Sequence, residues 1–145
     1  MVRPRTSRDT GRAMSQENVD FVLGAYARFN AGERTPELWF WHPDAEYQAA
    51  REDPDSSTHQ GIEAIRKQFA RWIEAYPDLR VEPLEAKANE DRVFLWVRFV
   101  GHGAASGAPL EMELAHVYTL RDGRATRCVE YMDRAEALEA VGLRE

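Results

Sequence analysis

Helices first and a meander of strands afterwards is the order the sequence predicts, which places the chain in the α+β class with helices packed on one face of a curved antiparallel sheet. Two observations carry that expectation. Residues 61–76 form a helical pattern with Ile62, Ile65, Phe69, Trp72, Ile73 and Tyr76 on one broad apolar stripe, and such a stripe needs a large partner surface. Residues 79–133 then supply four consecutive alternating runs joined by short connections, and short connections make neighbouring strands antiparallel.

Each element has a local cause. Residues 1–13 hold Arg3, Arg5, Arg8 and Arg12 against Asp9, and such a segment reads as a disordered basic tail, either an anchoring arm or a start preceding Met14; residues 14–145 read as one domain. From Ser15, a plausible N-cap, Val19, Val22, Leu23, Tyr26 and Phe29 recur at helical spacing until Gly32. Thr35-Pro36 opens a short second helix through Trp41, residues 45–49 suit a short strand, and the polar run 51–60 suits a loop. Pro77 closes the long helix. The strands are expected at 79–88, 92–103, 110–121 and 124–133, with Asp122-Gly123 as a strong hairpin signal. A last short helix is expected at 134–141, stopped by Gly142.

Composition narrows the function classes. At 145 residues and 43% apolar content the chain can bury a real core as one domain. The formal net charge of −6 argues against nucleic acid, whose phosphates are bound by clustered Lys and Arg. No apolar run is long enough to span a bilayer and no secretory signal is visible, so a cytoplasmic protein without a membrane partner is the expectation. With a single cysteine, Cys128, neither a disulfide scaffold nor a Cys-based metal site is expected; Glu52, Asp53, Asp55 and His59 share a polar loop that lacks metal-ligand spacing, and no nucleotide fingerprint is present. Neither metal nor cofactor is therefore expected.

Residues 110–133 carry the candidate chemistry. His116 shares an alternation face with Leu110, Met112, Leu114, Tyr118 and Leu120, while Glu130 shares one with Thr126, Cys128 and Met132. If both faces look into one cavity, an imidazole and a carboxylate meet in apolar surroundings, which suits proton transfer; a structural ion pair is the equal alternative. Glu130 and His116, with Tyr47 as a polar helper, are the catalytic candidates. Tyr26, Trp39, Trp72, Tyr76, Trp96, Arg98, Met112, Tyr118 and Cys128 are the candidate ligand-lining residues, although a core role suits most of the aromatic ones. Arg98 could clamp an anionic group or pair with Glu111 or Glu113 on the adjacent strand. The strand at 92–103 is apolar on both faces, Val93, Leu95, Val97 and Phe99 against Phe94, Trp96 and Val100, so a homodimer covering the outer face is expected.

The stretches MSQENVDFVLGAYARFNAGE, WHPDAEYQ, GIEAIRKQFARWIEAYPDLRVE and HVYTLRDGRATRCVEYMDRAEALEAVGL, in this order, resemble the SnoaL-like branch of the nuclear transport factor 2-like superfamily over residues 14–143. That resemblance implies a cone, a bent sheet wrapped around helices with a pocket at its wide end. It also implies that His116 and Glu130 match the His and Asp that frame the pocket of SnoaL-type polyketide cyclases. The resemblance extends more distantly to limonene-type epoxide hydrolases and ketosteroid isomerases, but Ala49 stands where the former carry an Asn and the latter their base Asp, and Arg98 lacks the neighbouring acid of the former. Scytalone-type dehydratases use a second pocket His, for which His42, His59 and His102 are poorly placed. The expected function is a small cofactor-independent enzyme acting on an apolar carbonyl or polyketide-like molecule by acid/base catalysis; the alternatives are a non-catalytic ligand-binding domain and a dimerisation module of the same fold.

Overall fold

The computed structural model describes residues 7–34, 37–54 and 57–143. The chain runs α1 (Ser7–Asn30), α2 (Glu37–Phe40), β1 (Trp41–Gln48), β2 (Thr58–Gln60), α3 (Ile62–Ala75), β3 (Arg80–Asn89), β4 (Arg92–His102), β5 (Pro109–Arg121), β6 (Arg124–Tyr131) and α4 (Arg134–Ala140). The strands form one open sheet in the order β2-β1-β6-β5-β4-β3, with every neighbouring pair antiparallel except β1 and β6, which are parallel. Parallel neighbours need a long crossover, and here the whole excursion from β2 through β5 separates β1 from β6.

Two elements differ from expectation. Helix α1 begins at Ser7 rather than at Ser15, because helix propagation adds a hydrogen bond per residue and nothing between those positions breaks it more strongly than Gly11. Residues 1–6 of the expected tail and the Thr35-Pro36 start of the second helix lie outside the described residues. The polar stretch at 51–60 ends in a strand, β2, whose Thr58, His59 and Gln60 pair with Gln48, Tyr47 and Glu46. At the hairpin, Asp122 and Gly123 both take positive φ, 53° and 74°, as a tight turn matched to strand twist requires.

The concave face of the sheet buries Val93, Leu95, Val97, Phe99, Leu114, Tyr118 and Cys128 against α1, α2 and α3. Helix α1 lies mainly over β3 and α3 over β1 and β2, so the inner space opens between the two helices. The convex face is covered in part by the chain itself: Ala137, Leu138 and Val141 of α4 pack on Phe94, Ala115 and Val117. Asp133 caps α4 by accepting from the Glu136 N–H at 3.1 Å, and Gly142, at φ 75°, ends it so that Leu143 folds back onto the same patch. The outer apolar face of β4 was expected to need a second subunit; α4 meets much of that need. Among the described residues no helix is long and apolar enough to cross a membrane.

Candidate active site

His116 and Glu130 are direct cross-strand partners on β5 and β6, and both point into the cone. Their side chains are 5% and 7% exposed, and Nε2 of the imidazole stands 3.1 Å from Oε2 of the carboxylate. One row further, Tyr118 of β5 faces Cys128 of β6, which in turn faces Tyr47 of the parallel strand β1. The Tyr47 hydroxyl donates to Glu130 Oε2 at 2.6 Å and lies 3.3 Å from His116 Nε2. From α1, Tyr26 reaches across the cone and sets its hydroxyl 2.5 Å from His116 Nδ1 and 2.6 Å from the Tyr118 hydroxyl. A continuous hydrogen-bonded chain therefore runs Tyr118, Tyr26, His116, Glu130, Tyr47. No buried side-chain polar atom among the described residues lacks a partner.

The proton inventory of this chain allows two consistent states. With a neutral imidazole, Nε2–H donates to Glu130 and Tyr26 donates to Nδ1, leaving the Tyr26 oxygen to accept from Tyr118. With an imidazolium, Nδ1–H donates to Tyr26, whose own proton is then free for Tyr118 or for a ligand. Taking up one proton at His116 thus reverses the direction of Tyr26. Burial, the largest cause at each group, pushes the phenols of Tyr26, Tyr47 and Tyr118 and the Cys128 thiol well above their ordinary range, and the Glu130 charge adds to this at Tyr26, Tyr47 and Cys128. All three tyrosines stay protonated and act as hydrogen-bond donors.

An almost wholly apolar cavity of about 60 Å³ adjoins this chain, lined by Ala25, Tyr26 and Phe29 of α1, Phe40, Trp41 and Tyr47, Phe69 and Trp72 of α3, Leu79, Val81, and Tyr118. Of the candidate catalytic residues, only Tyr47 reaches the cavity wall; His116 and Glu130 stand behind the tyrosines. Among the ligand-lining candidates, Tyr26, Trp72 and Tyr118 line the wall. Cys128 is fully buried beside Tyr118, one layer back. Trp39 sits at the outer end of α1, edge-on to Phe21, under the Arg28 guanidinium, with Nε1 donating to Glu33. Tyr76 ends α3, packed on the core away from the cavity wall.

Three candidates are corrected outright. Trp96 faces outward, packed against the α4 patch, because it alternates with the inward Leu95 and Val97. Arg98 shares that outer face and pairs with Glu82 at 3.3 Å and Glu111 at 3.9 Å, so it does not clamp a pocket anion. Met112, opposite Phe99 in the sheet register, is 37% exposed and does not reach the cavity wall. A further correction concerns β6, where a bulge sets Thr126 outside the alternation: its hydroxyl donates to Thr119 O, and Ala125 takes the buried place expected of Thr126. The cavity walls that the sequence reading missed are Ala25, Phe29, Phe40, Trp41, Phe69, Leu79 and Val81, of which Phe29 and Phe69 were legible as apolar-stripe positions. Nothing in their spacing distinguished cavity from packing.

The chain matches the SnoaL-like domain over residues 22–128, most of its length. It belongs to the SnoaL-like domain family. Among solved structures, this SnoaL-like chain is similar to a SnoaL-like polyketide cyclase candidate from Jannaschia sp. CCS1, with a TM-score of 0.73 and 19% identity over 99% of this chain and 100% of that one. It is similar also to Bal32a from a soil-derived mobile gene cassette, TM-score 0.72 and 21% identity over 88% and 97% of the two chains. A third is TerC co-crystallised with polyporic acid, TM-score 0.68 and 24% identity over 86% and 96%. No curated protein matches the chain. At these identities the structural likeness establishes the fold of this SnoaL-like domain, and its chemistry is argued from its own residues. Among those described, no group of three or more His, Cys, Asp or Glu could hold a metal ion.

Proposed function

We propose that this SnoaL-like domain is a cofactor-independent acid/base enzyme that enolises an apolar carbonyl compound of polyketide-like type. The observation that supports it is the buried chain in which Tyr26 and Tyr47, residues of the cavity wall, are hydrogen-bonded through their hydroxyls to His116 and Glu130, which stand behind them as proton donor and acceptor. In the imidazolium–carboxylate form, Tyr26 donates to the substrate carbonyl oxygen. An α-proton leaves carbon for the Tyr47 oxygen as Tyr47 gives its own proton to Glu130, and the C–H electron pair becomes the enol double bond. Tyr26 meanwhile protonates the carbonyl oxygen and is resupplied from His116 Nδ1. The enol, the neutral imidazole and the neutral carboxyl group balance the step, and reversal onto another atom, or attack of the enol on a second carbonyl, completes an isomerisation or a ring closure.

The cavity is far smaller than the few hundred Å³ typical of ligand sites, so a polyketide-sized substrate enters by displacing Phe69 and Trp72 of α3. The test is deuterium incorporation from heavy water into the α-positions of methyl β-benzoylpropionate, followed by NMR. The wild-type protein accelerates exchange, and Glu130→Gln lowers the rate by roughly 100-fold while ligand affinity is kept. Binding without accelerated exchange would instead support a non-catalytic binding domain, a reading favoured by the recession of His116 and Glu130 behind the cavity wall. We further propose a homodimer through the convex face, where Trp96 and Tyr131 are half-buried and Met132 is exposed; a one-chain mass in light scattering would remove it.

A further inference from the structure

Arg34 follows the C-terminal end of α1 and packs against two residues that line the cavity. Its guanidinium carbon lies 4.4 Å from the centre of the Phe29 ring, and its Nη1 donates to the Leu79 carbonyl at 2.9 Å. Phe29 and Leu79 both line the cavity that reaches the tyrosine hydroxyls. On its other side Arg34 lines a cleft of about 100 Å³ with Trp41, Ile65, Phe69 and Ile73, and Trp41 and Phe69 are walls of the first cavity too. The guanidinium is therefore in contact with the rim from both sides, and Phe69 and Trp41 separate the two spaces.

Among the described residues no acid answers the charge there. Arg28 pairs with Glu33, Arg66 with Glu63, Arg98 with Glu82 and Arg134 with Glu85, whereas the partners of Arg34 among the described residues are an aromatic face and a backbone carbonyl. A half-buried cation beside an apolar cavity is poorly hydrated, and stacking plus one backbone bond fixes its plane in advance. Such a fork is suited to a carboxylate, which it binds through parallel charge-assisted hydrogen bonds without reorganising.

We propose that Arg34 anchors a carboxylate on the ligand, so that the compounds this site takes are apolar carbonyl acids. Their apolar body fills the space between Phe29, Phe69 and Trp72, with the carbonyl at the tyrosine hydroxyls and the acid at the rim. The assignment rests on the cavity being the ligand site, as proposed above, and is independent of whether protons move there.

The test compares binding of β-benzoylpropionate and its uncharged methyl ester by calorimetry. Wild-type protein binds the acid roughly tenfold more tightly than the ester, the order of one charge-assisted contact. Arg34→Gln brings the acid down to the level of the ester and leaves the ester unchanged, Arg34→Lys keeps part of the preference, and Glu130→Gln keeps all of it. Equal binding of acid and ester by the wild-type protein, or no binding of the acid, overturns the proposal even if Arg34→Gln fails to fold. An equal loss for both probes in a folded Arg34→Gln variant also overturns it, because it assigns Arg34 to holding Leu79. Accelerated exchange without acid preference removes this inference and keeps the enzyme reading; acid preference without exchange does the reverse.

Discussion

Among the described residues two histidine–carboxylate pairs occur, and they differ in almost everything except their chemistry. His102 and Asp78 meet at 2.7 Å with side chains 62% and 55% exposed, where Asp78 also accepts from the His102 backbone N–H and ties the end of β4 to the turn after α3. His116 and Glu130 meet at the longer distance of 3.1 Å with almost no exposure, and Tyr26 and Tyr47 complete their hydrogen bonding, with Tyr118 bonded in turn to Tyr26. Distance alone would rank the first pair above the second. Solvent reverses the ranking, since water and salt screen the exposed pair while the buried one has only its protein partners.

Removing one member of each pair makes the contrast measurable. Glu130→Ala leaves the Tyr47 hydroxyl and His116 Nε2 without their buried acceptor, and a loss of about 3 kcal/mol in denaturant unfolding is expected; Asp78→Ala is expected to give a clearly smaller loss, and equal losses would break the comparison. The next effect is alkaline. Folding holds the Cys128 thiol and three phenols above their ordinary values of 9.0 and 10.0, so their contribution is full below those values and is lost progressively as pH rises from them toward and through the raised folded values. Thermal melting should accordingly fall steeply above pH 9.0, and a flat profile there would mean that these groups are not buried as described.

Tyr26→Phe sharpens the picture within the buried chain. It takes the partner from His116 Nδ1 and Tyr118 together, and about 1–2 kcal/mol is expected in the same unfolding measurement. The smallest effect belongs to the exposed pair. The His102 hydrogen bond holds the Asp78 carboxyl below its ordinary value of 3.8, so its contribution is present above that value and lost as pH falls through the lowered one. Asp78→Asn should therefore abolish a slight acid-side dependence that high salt also removes from the wild-type protein; a salt-resistant dependence would place this pair in the same class as the buried one.

Much of the fold was legible because its determinants are local. The stripe of Ile65, Phe69 and Trp72, the Asp122-Gly123 turn, the alternation on β4 and the Gly142 stop each act over a few residues, and each produced the expected element within a small boundary shift. The pairing of His116 with Glu130 was not set by the turn: a two-residue turn pairs Arg121 with Arg124 and Leu120 with Ala125, a register that continued would put His116 opposite Val129, and the bulge at Thr126 shifts it by one residue to bring Glu130 opposite. The bulge at Thr126 was not readable, because a single inserted residue leaves no mark on a short alternating run. Nor was the fate of Trp96 and Arg98: a strand apolar on both faces does not say which face turns inward.

By itself the sequence determined the order of elements, the α+β class, family membership and the hairpin that carries His116 and Glu130, all matters of local pattern. Only the tertiary structure decided that the β6 bulge sets His116 opposite Glu130, that Tyr26 from α1 and Tyr47 from β1 converge on that pair, that they rather than His116 and Glu130 meet the cavity, and that Arg34 packs against its walls Phe29 and Leu79. Those contacts join residues up to 90 positions apart, and no local propensity encodes them. They follow from how a curved sheet brings distant elements over one another once its concave face is buried.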